Sequence, residues 1–282
     1  MTTPNLPILD NHMHLNPAGR CLDAVREFAH AGGTHIVLVS LPPWSIGVVI
    51  SAPDDYRRVF DKVLSIARRV EEAGKVKVFV VLGVHPAELT KYYGRLGLAR
   101  AVEIMKGGLL VAREYVDKGL AVGLKSGRPH YEVEPKLWDA SNDIMRYSFE
   151  LAKEAGCAVQ LHTESATEEG LSEIGRMAKS AGLAPYKVVK HFSPPMIQAC
   201  EKYGIFPSVL AGEDAVEKAL SEGSRFMMET DYIDDLKRPG SVLGPKTVPR
   251  RTKQLIPEWG EDVFWKIHKE NPEKVYGVEI NI

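Results

Sequence analysis

The 282-residue sequence contains three cysteines, Cys21, Cys157 and Cys200, scattered with no CxxC pair. That excludes a disulfide framework and a zinc ribbon, and it reads as a reduced chain with no disulfide partner. Charge of one sign is also missing: 36 Lys and Arg stand against 37 Asp and Glu, a formal net charge of -1. Such a balance argues against a protein that coats nucleic acid non-specifically. No apolar run approaches the roughly 18 residues of a membrane span, and the longest, such as 78–84, are strand-sized. The opening MTTPNLPILD lacks a basic n-region and an apolar h-region, so no secretory signal is expected and a cytoplasmic location is. Fixed-period repeats, low-complexity tracts and linkers are absent as well, which leaves one domain over 1–282 as the expectation. What remains is globular: 44% hydrophobic and 26% charged, a mixture that supports a sizeable core and excludes disorder, collagen and coiled coil.

Short β-rich runs recur at 8–15, 35–41, 76–85, 121–125, 158–163, 187–192, 205–210 and 226–231, eight in all. Amphipathic stretches lie between them. The clearest covers 54–73, where Val59, Phe60, Val63, Leu64, Ala67 and Val70 fall on one helical face. A second helix is expected from an N-cap at Ser141 to Gly156, and a last one over 259–270. Gly32-Gly33, Gly74, Gly119, Gly156, Gly182 and Gly204 each stand where a helix should stop and turn into a strand. Eight βα units predict an α/β fold, a (β/α)8 TIM barrel with its active site at the C-terminal ends of the strands. A doubly wound open sheet is the alternative, but no GxGxxG follows the first strand. Two long connections stand out, the apolar 42–53 and the Pro-rich, basic 232–258; connections of that length commonly carry function.

The polar residues on the strands carry the chemistry. His12 and His14 are two apart on the first strand and share a face. His162 ends the fifth strand, His191 the sixth and Asp231 the eighth, while Lys125 ends the fourth. If all point inward, four imidazoles and a carboxylate meet at the rim where barrel enzymes work, a donor set for Zn²⁺, Mn²⁺ or Fe²⁺. A lone strand-end histidine is commonly a hydrogen-bonded core residue; the joint pattern is what points to metal.

The segments DNHMHL, GVHP (83–86), LHTES (161–165), HFS (191–193) and ETDY (229–232) resemble the TatD-like branch of the amidohydrolase superfamily. NPEKVYG (271–277) resembles that branch's C-terminal signature, and GRPHY and ETDYIDD are similar to its archaeal TatD-related group. The resemblance spans the whole chain. It implies a metal-dependent hydrolase on a distorted TIM barrel, with His12, His14, His162, His191 and Asp231 as ligands of two divalent metals, zinc or else Mn, Fe or Co. It departs at strand four, where the family usually carries a bridging glutamate and this chain reads AVGLKSGRPHY. Strand parity puts Lys125 in that place. A protonated lysine cannot ligate a cation, so three outcomes stay open. Lys125 becomes a bridging carbamate, as in phosphotriesterase-like and dihydroorotase-like relatives; its ammonium replaces one metal; or it is a Schiff-base nucleophile.

Metal-assisted hydrolysis is the expected chemistry, because bound metal lowers the pKa of water from 15.7 towards about 7. Asp231 is expected to take the proton of the attacking water, with Glu229 either a catalytic neighbour or a buried partner. His85 is a candidate to contact substrate or to orient a ligand, with packing as the alternative, and His130 and Glu164 are candidates of the same kind. Lys237, Arg238, Lys246, Arg250, Arg251 and Lys253 form an acid-free basic run in which Arg250 and Arg251 are expected to bind phosphate. The alternative is a solvated loop balanced by Asp234 and Asp235. The first reading is therefore a phosphoester hydrolase acting on small molecules or nucleic-acid ends, a deoxyribonuclease included. The others are a lactone, amide or phosphotriester hydrolase, a metal-binding barrel without turnover, and a Schiff-base lyase. The apolar 42–53 loop suits either a hydrophobic substrate group or a subunit contact in a homo-oligomer.

Overall fold

The computed structural model describes residues 6–281. All eight expected strands form, within two residues at each end: β1 Leu9–His14, β2 His35–Val39, β3 Lys77–Gly83, β4 Gly123–Gly127, β5 Ala158–His162, β6 Val188–Ser193, β7 Phe206–Leu210 and β8 Met227–Glu229. A ninth, β9 Tyr232–Ile233, follows. The helices are α1 Leu22–Ala31, α2 Tyr56–Glu72, α3 Ala87–Leu96, α4 Leu98–Asp117, α5 Pro135–Ala155 and α6 Glu168–Ala181. Then come α7 Ile197–Lys202, α8 Ala215–Glu222, α9 Thr247–Trp259, α10 Glu261–Trp265 and α11 Asn271–Tyr276. Gly32, Gly74, Gly119, Gly156, Gly182 and Gly204 all have positive φ, as helix-stopping glycines should. No helix among the described residues is long and apolar enough to cross a membrane.

All strand pairs are parallel, in the order β8-β7-β6-β5-β4-β3-β2-β1-β9, so the fold is a TIM-barrel-type α/β sheet curled on itself. Its seam is unusual. β8 pairs with β7 at one end of the sheet, and after only Thr230 and Asp231 the chain re-enters at the other end, where Tyr232 and Ile233 pair with Met13 and His14. A side chain spans the gap. The buried Asp10 carboxylate accepts from Thr230 N–H (3.1 Å), Thr230 Oγ1–H (2.6 Å) and His12 N–H (3.2 Å). Burial pushes its pKa up to about 7, against the pull of those donors.

Interior and exterior faces are read from the ladder. Lys125 pairs with Gln160, Gly127 with His162, and Gln160 with Val189, which sets these residues on the inward face. Leu9, Val37, Val39, Val81, Ala158 and Val189 form the apolar floor, closed from below by Val275, Tyr276 and Ile280 of the C-terminal segment. Outward residues such as Met13, Leu38, Leu82, Leu124 and Leu161 pack under the helices with Phe28, Phe60 and Phe149. Truncating one such phenylalanine to alanine costs about 3–5 kcal/mol. Gly127 cannot be replaced cheaply: a Cβ there would lie 1.8 Å from the His162 carbonyl oxygen. The bare backbone lets β4 lie tight against the strand carrying His162.

Three expectations need correction. Ser141 does not cap a helix; α5 starts at Pro135, and Ser141 is buried six residues in, its hydroxyl donating to the Leu137 carbonyl (2.8 Å). Proline at the first helical position has no N–H to lose. The connection 232–258 is not one loop, because β9 and α9 occupy much of it. Pro249 sits in the first turn of α9, where a missing N–H costs nothing. The last helix is broken into α10, a π turn over Lys266–Glu270, and α11. The π turn brings the buried His268 against β1, with its Nδ1 3.2 Å from the Leu9 carbonyl and its Nε2 2.8 Å from Thr252 Oγ1.

Candidate metal centre

The inward histidines meet at the C-terminal rim. His12 Nε2 and His14 Nε2 are 3.1 Å apart, and Asp231 Oδ1 lies 3.8 Å from each. The His12 ring stacks on His191 at 4.0 Å between centroids. His191 Nε2 is 2.9 Å from His162 Nδ1, and His162 Nε2 is 2.9 Å from His130 Nδ1. His85 lies against His162, with ring centroids 4.5 Å apart. Six imidazoles thus form one continuous array, with Lys125 beside it at 1% exposure. Asp231 closes the array from the barrel seam and takes φ 46, a conformation costly for a residue with a Cβ.

Partners that can only donate or only accept settle the protons. Gln160 Nε2 faces the Asn11 carbonyl (2.9 Å), which only accepts, so Gln160 Oε1 must face His12 Nδ1 (2.6 Å) and receive its N–H. His14 Nδ1 faces the Val39 carbonyl (2.9 Å) and must likewise carry its proton. Both Nε2 atoms are therefore bare. Two lone pairs and a carboxylate oxygen converge with no proton among them, an arrangement that repels itself unless a cation sits inside it. Ligand atoms about 2.05 Å from a shared tetrahedral zinc are about 3.3 Å apart, between the 3.1 and 3.8 Å separations of this triad. Burial and the nearby Lys125 charge hold His12 and His14 well below the usual imidazole pKa, which keeps them neutral and ligand-ready. The donor set fits a divalent metal.

The network continues through the barrel. Gln160 Nε2 also donates to Tyr276 Oη (2.7 Å), which donates to Asn11 Oδ1 (2.9 Å). Asn11 Nδ2 donates to Ser208 Oγ (2.9 Å), whose hydroxyl donates to Glu229 Oε2. Glu229 accepts also from Phe192 N–H (2.7 Å) and lies 3.2 Å from His191 Nδ1. Burial and the Asp231 charge push its carboxyl well up, and the Ser208 and Phe192 donors counter this. A carboxylate behind a histidine orients the ring and raises its basicity towards metal. Asp231 is lifted to about 6 by burial, opposed by Lys125 and Lys190. Lys125 itself is lowered to about 8 by burial, opposed by Asp231, Glu229 and Glu88.

His85 is tied from behind. Ala87 N–H donates to His85 Nδ1 (3.2 Å), so the ring proton sits on Nε2. The buried Glu88 accepts from His85 N–H (2.7 Å), from Tyr92 Oη (2.9 Å) and from Tyr56. Glu164, Arg250 and Arg251 are not brought into the array. Glu164 is gripped by the buried Arg128 (Nε–Oε2 2.9 Å), which also holds Glu173 (2.7 Å) and stacks on Trp138. Arg250 faces solvent on α9, and Arg251 pairs with Glu217 of α8 at 3.2 Å. Other basic residues of that run are engaged too: Lys246 with Glu27, Arg238 with Asp235, and Lys253 with the Ala31 carbonyl. Asp234 does not balance them; it accepts the backbone N–H groups of Asn16, Arg20 and Cys21 at 2.7–3.1 Å. Gln160, Arg128 and Tyr276 escaped the sequence reading. For Gln160 a signal existed, a polar residue inside an apolar strand with the inward parity of His162.

The sequence profile of the family described as TatD related DNase matches residues 9–277. The chain is 42% identical over 287 residues to the uncharacterized protein MJ1127 of Methanocaldococcus jannaschii, covering 99% of this chain and 98% of that one. Among solved structures it is similar to the TatD homologue YjjV of Escherichia coli K12, with TM-score 0.68, 16% identity, and coverage of 96% and 98%. A mutant PTE-like lactonase of Deinococcus radiodurans superposes with TM-score 0.67 at 14% identity, covering 97% and 96%. The phosphotriesterase homology protein of Escherichia coli, complexed with phosphate, superposes with TM-score 0.60 at 12% identity, covering 96% and 98%. At these identities the structural likeness is one of fold.

Proposed function

The chain belongs to the TatD related DNase family and is a metal-dependent hydrolase, and from that premise we propose that it cleaves phosphoester bonds at a two-metal centre. The observation that carries the reading is the pair of bare nitrogens, His12 Nε2 and His14 Nε2, facing each other and Asp231 Oδ1 without a proton between them. His12, His14 and Asp231 would hold one divalent metal, and His162 and His191 would hold the other. Lys125, buried beside the array, would link the two sets. Its amine adds to carbon dioxide, forming an N–C bond and releasing one proton, and the resulting carbamate supplies the anion that a glutamate would otherwise give. The inward register opposite Gln160 and the nearly complete burial of Lys125 support this role.

What divalent metal supplies in such a site is activation of water at neutral pH and polarisation of the phosphoryl oxygen. The residues do the rest. Asp231, held at the seam, takes the proton of the attacking water and passes it to the leaving oxygen. His85 presents Nε2–H to a substrate oxygen, a neutral donor whose direction Ala87 and Glu88 fix. His130, exposed at the rim beside His162, contacts the leaving side of the substrate. Glu164, Arg250 and Arg251 receive no substrate role.

Elemental analysis of protein purified without chelator tests the centre, alongside hydrolysis of bis(4-nitrophenyl) phosphate. About two metals per chain are expected in the wild type, about one in Lys125→Met, and two again in Lys125→Glu. Loss of phosphoesterase activity on chelation and recovery with Zn²⁺, Mn²⁺ or Co²⁺ should accompany them. Activity indifferent to chelation, or two metals retained by Lys125→Met, overturns the assignment.

A further inference from the structure

A cleft of about 440 Å³ opens beside the histidine array, formed by the ends of β6 and β7 and the segments that follow β5, β6, β7 and β9. Phe192, Pro194, Pro195, Leu210 and Leu243 line it. Its charged lining residues are the acids Glu213 and Asp214, with no lysine, arginine or histidine among them. The cleft adjoins the chemistry: Phe192 follows His191, with ring centroids 6.3 Å apart, and Leu210 lies opposite Glu229 in the ladder.

Phe192 is the telling residue. It takes φ 50, which disfavours any side chain, and it leaves an aromatic ring 46% exposed. Its N–H is turned inward to Glu229 Oε1 at 2.7 Å, and that same turn of the backbone throws the ring outward into the cleft. The hydrogen bond to Glu229 accounts for the strained backbone, but it does not require a phenyl group at the exposed position. Strain of this kind gathers where a site needs it.

We infer that this cleft binds an uncharged, ring-sized apolar group of the substrate, so that the preferred substrate is a small ester with an aryl or bulky alkyl substituent and not a polynucleotide strand. This rests on the hydrolase reading and narrows it. An apolar concavity of this size beside a few oriented polar groups is the usual form of a small-molecule site. A strand leaving the metal centre by this route would bring further phosphates against Glu213 and Asp214, where the neighbouring cation, Lys218, is already taken by Asp214 at 2.7 Å. Of the basic residues between β9 and the end of α9, Arg238, Lys246, Arg251 and Lys253 are engaged elsewhere, and neither Lys237 nor Arg250 lines the cleft.

The test compares three phosphodiesters with the same 4-nitrophenolate leaving group and different second substituents: phenyl, methyl, and a thymidine bearing a further 3′-phosphate. For the metal-loaded wild type, kcat/KM for the phenyl ester should exceed that for the methyl ester by about thirtyfold, as burial of a ring implies. The nucleotide ester should fall below the phenyl ester. Phe192→Ala should pull the phenyl-to-methyl ratio towards one, and Leu243→Arg should shift preference towards the nucleotide. As a check that does not rely on variants, phenylphosphonate should inhibit the wild type at least tenfold more tightly than methylphosphonate. Equal ratios and equal inhibition, or preference for the nucleotide, overturn the cleft assignment alone. No turnover of any of the three by metal-loaded protein overturns the phosphoester reading beneath it.

Discussion

Replacing Gln160 with leucine keeps the size of a buried side chain and removes three hydrogen bonds at once: from His12 Nδ1 (2.6 Å), to the Asn11 carbonyl (2.9 Å) and to Tyr276 Oη (2.7 Å). The His12 ring then has nothing to hold its proton on Nδ1. Loss of such an outer partner of a metal-binding histidine typically weakens metal about 10- to 100-fold, which is about 1.4–2.7 kcal/mol. Stability falls as well, because three buried groups lose their partner, at about 1–3 kcal/mol for each group left unpaired. Gln160→Glu separates the two effects. It keeps an acceptor for His12 and loses the donor to Asn11 and Tyr276, so it should destabilise the fold while metal affinity holds. The assay is competition with a chelating dye for Zn²⁺, with urea unfolding in parallel. Long-range ¹H–¹⁵N spectra of the metal-free protein should show His12 as the Nδ1–H tautomer in the wild type. If Gln160→Leu folds and binds Zn²⁺ within twofold of the wild type, or if His12 carries its proton on Nε2, the proton assignment is refuted.

Asp10→Ala should cost about 3 kcal/mol or more in urea unfolding, because Thr230 N–H, Thr230 Oγ1 and His12 N–H lose a buried common acceptor at the seam; a loss under 1 kcal/mol would mean the β8–β9 join holds without it. His35 is buried, and burial lowers its pKa from 6.5 to about 4. Between those values the unfolded chain binds the proton and the folded chain does not, so stability is complete above about pH 6.5 and declines as pH falls towards 4. The loss amounts to about 3 kcal/mol, and His35→Gln should flatten that part of the urea profile; an unchanged slope would contradict it. Gly127→Ala should misplace β4 against His162, given the 1.8 Å approach, and lower both melting temperature and metal content; unaltered metal content would show that the strand contact is not needed by the site.

Much of this molecule is local and therefore legible in the chain. Strand and helix alternate because apolar periods of two and 3.6 alternate, and glycines at positive φ end the helices. The inward parity of His12, His14, Lys125, His162 and His191 can be read from the strand pattern, and with it the approximate place of the candidate metal centre. Other features have no local cause. Ser141 looks like a cap, yet Pro135 starts α5 because the buried face of the helix extends that far. The basic run around Arg250 and Arg251 reads as a phosphate clamp until α9 packs beside α8 and Glu217 takes Arg251. Glu164 seems free for substrate until Arg128, 36 positions earlier, closes on it. Closure of the sheet makes these pairings, as it joins Asp10 to Thr230 across 220 positions and sets Gln160 behind His12 across 148. Side-chain type and spacing along the chain determine which groups face inward. Which of them touch, and hence which nitrogen is left bare for a metal and which charge is already taken, is decided only when the sheet curls and brings distant strands within hydrogen-bond reach.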